Sequence, residues 1–181
     1  MTPVFRLMVL IVCLLGTTSL QAQLYAGTAP VQISSEGTAR TTLLKSEQLS
    51  GRFVPETGRF MLLVKTGSFA VGAGPAETGI LNRVFLPQQN ALLVLEADLA
   101  SLALQPGQSR EVTIPVQVTF NSTTQLLEAN LRLKLETETL TFSLELPATL
   151  EAFKLSRPEA DQADFGTEIL ISVDNASFTR R

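Results

Sequence analysis

The chain has 181 residues and a formal net charge of −3, and it contains no histidine, no tryptophan and a single cysteine. The absence of histidine removes the commonest general base at neutral pH and the commonest transition-metal ligand. A slightly acidic protein with scattered charges also has no electrostatic footprint for nucleic acid. We therefore expect no enzyme activity, no metal, no cofactor and no nucleic-acid partner.

Residues 1–22 have the layout of a secretory signal peptide. Arg6 is their only charge, an apolar run spans 7–15, and small or polar residues follow before the cleavage point. The run is shorter than the roughly 20 apolar residues that cross a bilayer. Cys13 lies inside the run, so the mature chain would have no thiol. We expect an exported, periplasmic or secreted protein with one domain at 23–181 and no membrane-spanning segment after cleavage.

The first half of the mature chain predicts several short strands and one helix. Alternating apolar positions place strands at 31–33, 38–45, 49–53, 59–66 and 91–99. After a glycine-rich stretch, Pro75 suits the first turn of a helix, and the pairs Ile80/Val84 and Leu81/Phe85 have helical spacing. We expect this short helix to lie over one end of the sheet structure.

Period-two alternation is clearest in the second half. Apolar residues occupy every second position over 112–120, 127–135 and 140–146, with mostly polar residues between them. Short turns at 121–122 and 136–138 separate the three runs. This pattern predicts an antiparallel meander with one wet and one dry face. A surface loop is expected at 156–166, before a last strand at 167–173.

About eight strands with consistent alternation favour an all-β protein, a closed antiparallel up-and-down barrel without exposed edges. An eight-stranded barrel either fills its interior with side chains or holds one small ligand. A two-sheet sandwich gives nearly the same pattern and is the structural alternative.

Several features follow one another along the chain: Leu-Ser-Gly-Arg-Phe at 49–53, a strand at 60–66 followed by Ser-Phe at 68–69, a helix with Asn-Arg at 82–83, and Ala-Phe-Lys-Leu at 152–155. This order resembles the YceI-like family of periplasmic, lipocalin-like proteins that bind polyisoprenoids and related long-chain amphiphiles. The resemblance covers nearly all of the mature chain.

The family's own motifs are replaced in this chain. An Arg-Asp-x-His-type motif near the helix reads Asn-Arg-Val-Phe at 82–85, and a Gly-Thr-Lys hairpin reads Asn-Ser-Thr-Thr at 121–124. The Asp-Tyr-type element near the end reads Glu-Ala-Phe at 151–153. The resemblance is therefore one of layout. It implies a lipocalin-like barrel and, as the partner, a bound isoprenoid or fatty-acid-like lipid.

If the interior is hollow, inward-facing side chains would line the ligand site, and Arg83 would meet a polar or phosphate head group at the barrel mouth. The competing interpretation for the lining is plain core packing, and for Arg83 an ordinary solvated charge. The expected lining residues are Phe60, Leu62, Val64, Phe69, Leu93, Leu95, Val116, Val118, Phe120, Leu131, Leu133, Phe142, Leu144 and Ile171.

Two functions follow from these alternatives. The first is an exported carrier or store that holds a polyisoprenoid or other long-chain amphiphile inside the barrel. The second is a structural or interaction module with a solid barrel and no ligand, acting as a homodimer or with a protein partner. The apolar outer residues Met61 and Leu63 motivate the second function.

Overall fold

A computed structural model describes residues 23–70, 73–85 and 91–181, so the expected signal peptide at 1–22 lies outside the described residues. Within them, eight antiparallel strands pair in chain order, and the last pairs with the first to close a barrel. The strands are β1 (Tyr25–Glu36), β2 (Thr41–Val54), β3 (Arg59–Lys65), β4 (Leu92–Asp98), β5 (Ser109–Phe120), β6 (Thr123–Leu135), β7 (Thr139–Thr149) and β8 (Glu168–Arg180).

The barrel prediction is confirmed, and the sandwich alternative is wrong because β1 pairs with both β2 and β8. The inward side chains of the strands form one continuous apolar core. Outward positions such as Glu128 and Glu145 are exposed, as the alternation indicated.

Several strands are longer than their sequence pattern suggested. The expected strand at 38–45 begins only at Thr41, after a turn, and joins 49–53 in one strand, β2. Glu47 and Gln48 are both exposed there and interrupt the alternation. The last strand continues past Val173 to Arg180 because Asn175 takes a left-handed backbone, with φ 48°, and shifts the alternation by one residue. Such irregularities hide a strand from a strict period-two reading.

The two ends of the barrel are closed differently. One end, here called the lower end, carries the turns at 55–58 and 136–138 and the segment 99–108; the opposite end is called the upper end. The upper end is covered by segments that are not strands. The predicted helix is confirmed as α1 (Pro75–Ile80), which continues into a π-helical turn at Leu81–Phe85. The other upper segments are 3₁₀ turns at Thr66–Ala70, Glu151–Phe153 and Glu159–Asp161.

Candidate functional site

The barrel interior is the candidate site, and all the residues expected to line it are buried. None of the fourteen is more than 3% exposed. Thirteen lie on strands, whereas Phe69 lies on the 3₁₀ turn that covers the upper end. Their burial fits both a ligand site and a packed core, so their binding role stays a prediction.

The lower half of the interior is filled by a cluster of aromatic rings, here called the aromatic floor. It consists of Tyr25, Phe53, Phe60, Phe142 and Phe178. Neighbouring ring centroids lie 6.3, 6.4, 5.1 and 4.9 Å apart in that order, and three of the four pairs are edge-to-face. Edge-to-face pairs add about 0.5–1.5 kcal/mol each beyond the apolar area they bury. The floor is therefore a rigid, closed base.

Two glycines make room for the floor. A Cβ atom on Gly51 would lie 2.6 Å from the ring of Phe178, and one on Gly27 would lie 2.7 Å from the same ring. Any larger residue there would collide with the ring. Sequence reasoning missed Phe178, although inward-facing glycines within two strands were a visible indication that a large group approaches closely.

Tyr25 ties the floor to the turn between β6 and β7. Its hydroxyl lies 3.0 Å from the backbone carbonyl oxygens of both Glu136 and Thr137, to which it donates. Burial raises the pKa of the Tyr25 phenol, so the group remains a donor through the neutral range. The one hydroxyl of the aromatic floor therefore has hydrogen-bond partners. We call these contacts the polar tie of the floor.

The upper half is lined mainly by aliphatic side chains and closed by four aromatic ones, of which Phe120 ends β5 and the other three lie outside the strands. Phe85 of the π-helical turn lies edge-on to Phe165 at 5.8 Å and to Phe120 at 6.2 Å. Phe120 in turn contacts Phe153 at 6.1 Å. Together these rings form an apolar cap over the upper end of the barrel.

A cavity of about 10 Å³ lies just beneath this cap. That volume is near the minimum for a single water molecule. Side chains therefore fill the interior of this structure, and a long-chain molecule could occupy it only if the cap residues moved. The cavity is lined by Ile33, Phe85, Leu93, Phe120, Phe153, Leu155, Ile169 and Ile171.

Arg83 does not point to open solvent but to a carboxylate. Its Nε and Nη2 donate to the two oxygens of Asp161 at 2.8 and 2.5 Å. The Asp161 side chain is 7% exposed and that of Arg83 is 50% exposed. The hydrogen bond from Arg83 lowers the pKa of Asp161, although burial of the carboxyl opposes it. A head-group contact from Arg83 stays a prediction.

The Arg83–Asp161 pair joins the π-helical turn to the 156–166 loop, 78 residues later in the chain. Sequence reasoning placed this loop on the surface, and most of its residues are exposed. Asp161 is nevertheless buried, and the loop packs against the β1–β2 hairpin, where Ala39 donates its backbone N–H to the carbonyl of Ala163. No local pattern distinguishes this acid from the loop's solvated ones, so its partner could not be found from the sequence.

A second set of ion pairs holds the same cap. Arg40, just before β2, donates from Nε to Asp164 at 2.8 Å and lies 3.6 Å from Glu77 of α1. The helix, the loop and the hairpin are thus linked through one guanidinium. These groups are partly exposed, so each pair is individually weak in water.

The described residues contain no group of three or more side chains suited to hold a metal ion. Nor do they include a helix with the length and apolar character needed to span a membrane.

The fold and its interior place the chain among closed, lipocalin-like antiparallel barrels with an apolar core. Structure comparison finds a polyisoprenoid-binding domain from Saccharophagus degradans, described as implicated in plant cell wall breakdown. The two share 14% sequence identity with a TM-score of 0.66, over 87% of this chain and 97% of that one. Comparisons with protein-family models and with curated proteins give no match. The lipocalin-like fold implied by the YceI-like resemblance is therefore confirmed.

Proposed function

We propose that the protein binds one long-chain apolar or amphiphilic molecule, of the polyisoprenoid or fatty-acid type, in the upper half of its barrel. The observation that carries this proposal is the closure of the barrel: strands and rings seal the lower end, while separate short segments cover an aliphatic upper half. The similarity in fold to a polyisoprenoid-binding domain supports it. The protein would act as an exported, non-catalytic carrier or store.

The energetics favour the upper half over the floor. Burying an alkyl or prenyl chain there removes apolar area from water, at about 25 cal/mol per Å². Leucine, isoleucine and valine side chains can change rotamer to admit a chain, whereas the floor rings are fixed by their neighbours. Displacing the cap breaks side-chain contacts and a few loop hydrogen bonds, and it leaves the barrel's strand pairing intact. Regions of this kind open locally at low cost.

A second candidate function, an interaction module, is supported by separate observations. The interior cavity of about 10 Å³ favours a solid barrel that acts as an interaction module. Leu126 is 72% exposed on the outer face of β6. It borders a surface groove with Ala97 and Pro115, which gives an apolar contact point for a partner or a second copy.

Lipid extraction of the natively exported protein separates the two functions. The protein would be purified without detergent and extracted with organic solvent, and the extract analysed by mass spectrometry. A single long-chain compound in stoichiometric amount is the expected result. Val118→Trp, which fills the interior beside Leu93 and Phe120, is the matched control and should yield much less. An empty extract together with no thermal shift on adding prenyl lipids would favour the solid module.

A further inference from the structure

The barrel wall is not continuous between β6 and β7. These strands pair only over their lower parts, from Asn130 opposite Glu145 to Leu135 opposite Leu140. Above this point, β6 stays paired with β5 and β7 with β8, but the described residues show no pairing between β6 and β7. Pro147 lies in the unpaired part and has no N–H to donate. We call this gap the upper seam.

The upper seam is closed by the short segment 150–155, here called the plug. Leu150 and Phe153 of the plug are 2% and 3% exposed. Most of its backbone hydrogen bonds are internal, such as those from Phe153 and Leu155 to the carbonyl of Leu150. Its ties to strands or their flanks are from Leu150 to the carbonyl of Thr167 and from Ala152 to the hydroxyl of Thr149. Among the described residues the plug makes no hydrogen bond to β6.

The plug lies between a large outer groove and the interior. The groove, of about 870 Å³, is lined by Leu127 of β6, by Ala148 of β7 and by Ala152 of the plug. The small interior cavity is lined by Phe153 and Leu155. Ile169 borders both spaces. Adjacent plug residues therefore face opposite sides, with Ala152 toward the groove and Phe153 toward the barrel interior.

The route along the barrel axis is held more firmly. There α1 and its π-helical turn are attached by the Arg83–Asp161 pair, by the contact of Arg40 with Glu77 and by the ring contact of Phe85 with Phe165. The plug is attached to β6 by apolar contacts alone. Opening the upper seam therefore breaks fewer polar interactions than lifting the helix.

The groove outside the seam is suited to a head group without net charge. Among the described residues, its lining includes the carboxylates of Glu36 and Glu168 and a single guanidinium, that of Arg157. Arg157 already donates to the backbone carbonyls of Phe165 and Gln162. The remaining polar groups are hydroxyls and an amide. These groups can hydrogen-bond a neutral head group as readily as they hydrogen-bond water.

We propose that the upper seam between β6 and β7 is the portal through which the chain of an amphiphile reaches the interior. Phe153 moves aside during passage, and a neutral, hydroxyl-bearing head group remains in the groove. This inference rests on the proposed function, since it assumes that the interior accepts a ligand.

Retinol tests the portal, because it joins an isoprenoid chain to a neutral hydroxyl and its fluorescence rises in an apolar site. Stopped-flow mixing would follow its uptake by the mature protein. Leu127→Trp obstructs the β6 side of the seam and Ala152→Trp obstructs it at the plug, and each should slow uptake about tenfold or more. Phe153→Ala removes the plug ring and should speed both uptake and release. The Phe153→Ala variant still tests the portal if a tryptophan variant fails to fold.

Two controls make the result specific. Leu126→Trp places the same side chain on the exposed outer face of β6, and Asp161→Asn loosens the axial cap, so both should keep the wild-type rate within about twofold because their sites lie outside the portal. Unchanged rates in the folded seam variants, with faster uptake in Asp161→Asn, would overturn the portal. A wild-type protein that binds no retinol at all would overturn the proposed function itself.

The head-group assignment has its own comparison. Retinoate carries the same chain with a carboxylate, and at neutral pH it should bind more weakly than retinol. Glu168→Gln, at the groove rim, should reduce the difference in affinity between retinol and retinoate. Tighter binding of retinoate than of retinol to the wild type would contradict a neutral head group while leaving the portal standing.

Discussion

The lower and upper halves of the barrel interior are filled by different kinds of side chain. The floor consists of five aromatic rings in mutual contact, seated over Gly27 and Gly51. The upper half is mainly aliphatic, contains the small cavity and ends in a cap that is not part of the sheet. One chain therefore builds a rigid base and an adaptable chamber within a single barrel. Stability should reside mainly in the first and ligand binding in the second.

The largest expected effect is the loss of a floor ring. Phe178→Ala removes a fully buried ring over two glycines that cannot fill the space, so it should destabilise the protein by about 3–5 kcal/mol. Chemical denaturation followed by circular dichroism measures this loss. Because the proposed binding region is the upper half, the fraction that stays folded should retain wild-type affinity for retinol. A stable variant with lost affinity would reverse the roles of the two halves.

Overfilling the upper half should act mainly on binding. Val118→Trp adds a large side chain where no space of that size exists, at a cost of about 1–3 kcal/mol in stability. Retinol titration of the folded variant should show binding reduced beyond detection.

The matched control for that variant places the same residue outside the barrel. Leu126→Trp lies at an exposed position, so its stability should change by less than about 0.5 kcal/mol and its retinol affinity should not change. Loss of binding in both variants would mean that the ligand sits on the outer surface.

A smaller effect is expected from the polar tie of the floor. Tyr25→Phe removes the hydroxyl that bonds the carbonyls of Glu136 and Thr137, at a cost of about 0.5–1.5 kcal/mol. The ring itself remains, so the floor should stay closed. Thermal unfolding measures the change. A cost near that of Phe178→Ala would show that the tie, rather than ring packing, holds the floor.

The smallest effect should come from the ion pair of the cap, and it should depend on pH. The pKa of Asp161 is lowered in the folded protein, so the unfolded chain binds the proton more readily. The stabilisation is therefore complete above the ordinary aspartate pKa, about 3.9, and is lost as the pH falls through the lower folded value. Asp161→Asn should lower the unfolding temperature at pH 7 and make little difference in strong acid. An equal difference at both pH values would exclude the charge as the cause.

Alternation was enough to predict which side chains face inward, because a strand turns every second residue to the same side. It held across β5, β6 and β7 and failed where the backbone slips, at Glu47 and at Asn175. The role of Phe178 depends on glycines in two other strands. The partner of Arg83 lies 78 residues away in the chain. Such contacts form only when segments distant in the chain meet in the folded barrel. The residue pattern of a single strand does not encode them.

The most direct test of the division between floor and chamber is a methyl NMR titration of the folded protein with retinol. We expect the methyl signals of the upper residues Val64, Val118 and Ile171 to shift saturably. Those of Leu135 and Leu140, beside the floor, should stay in place. Shifts of equal size in both groups, or no shift in the upper group at saturating retinol, would contradict this division.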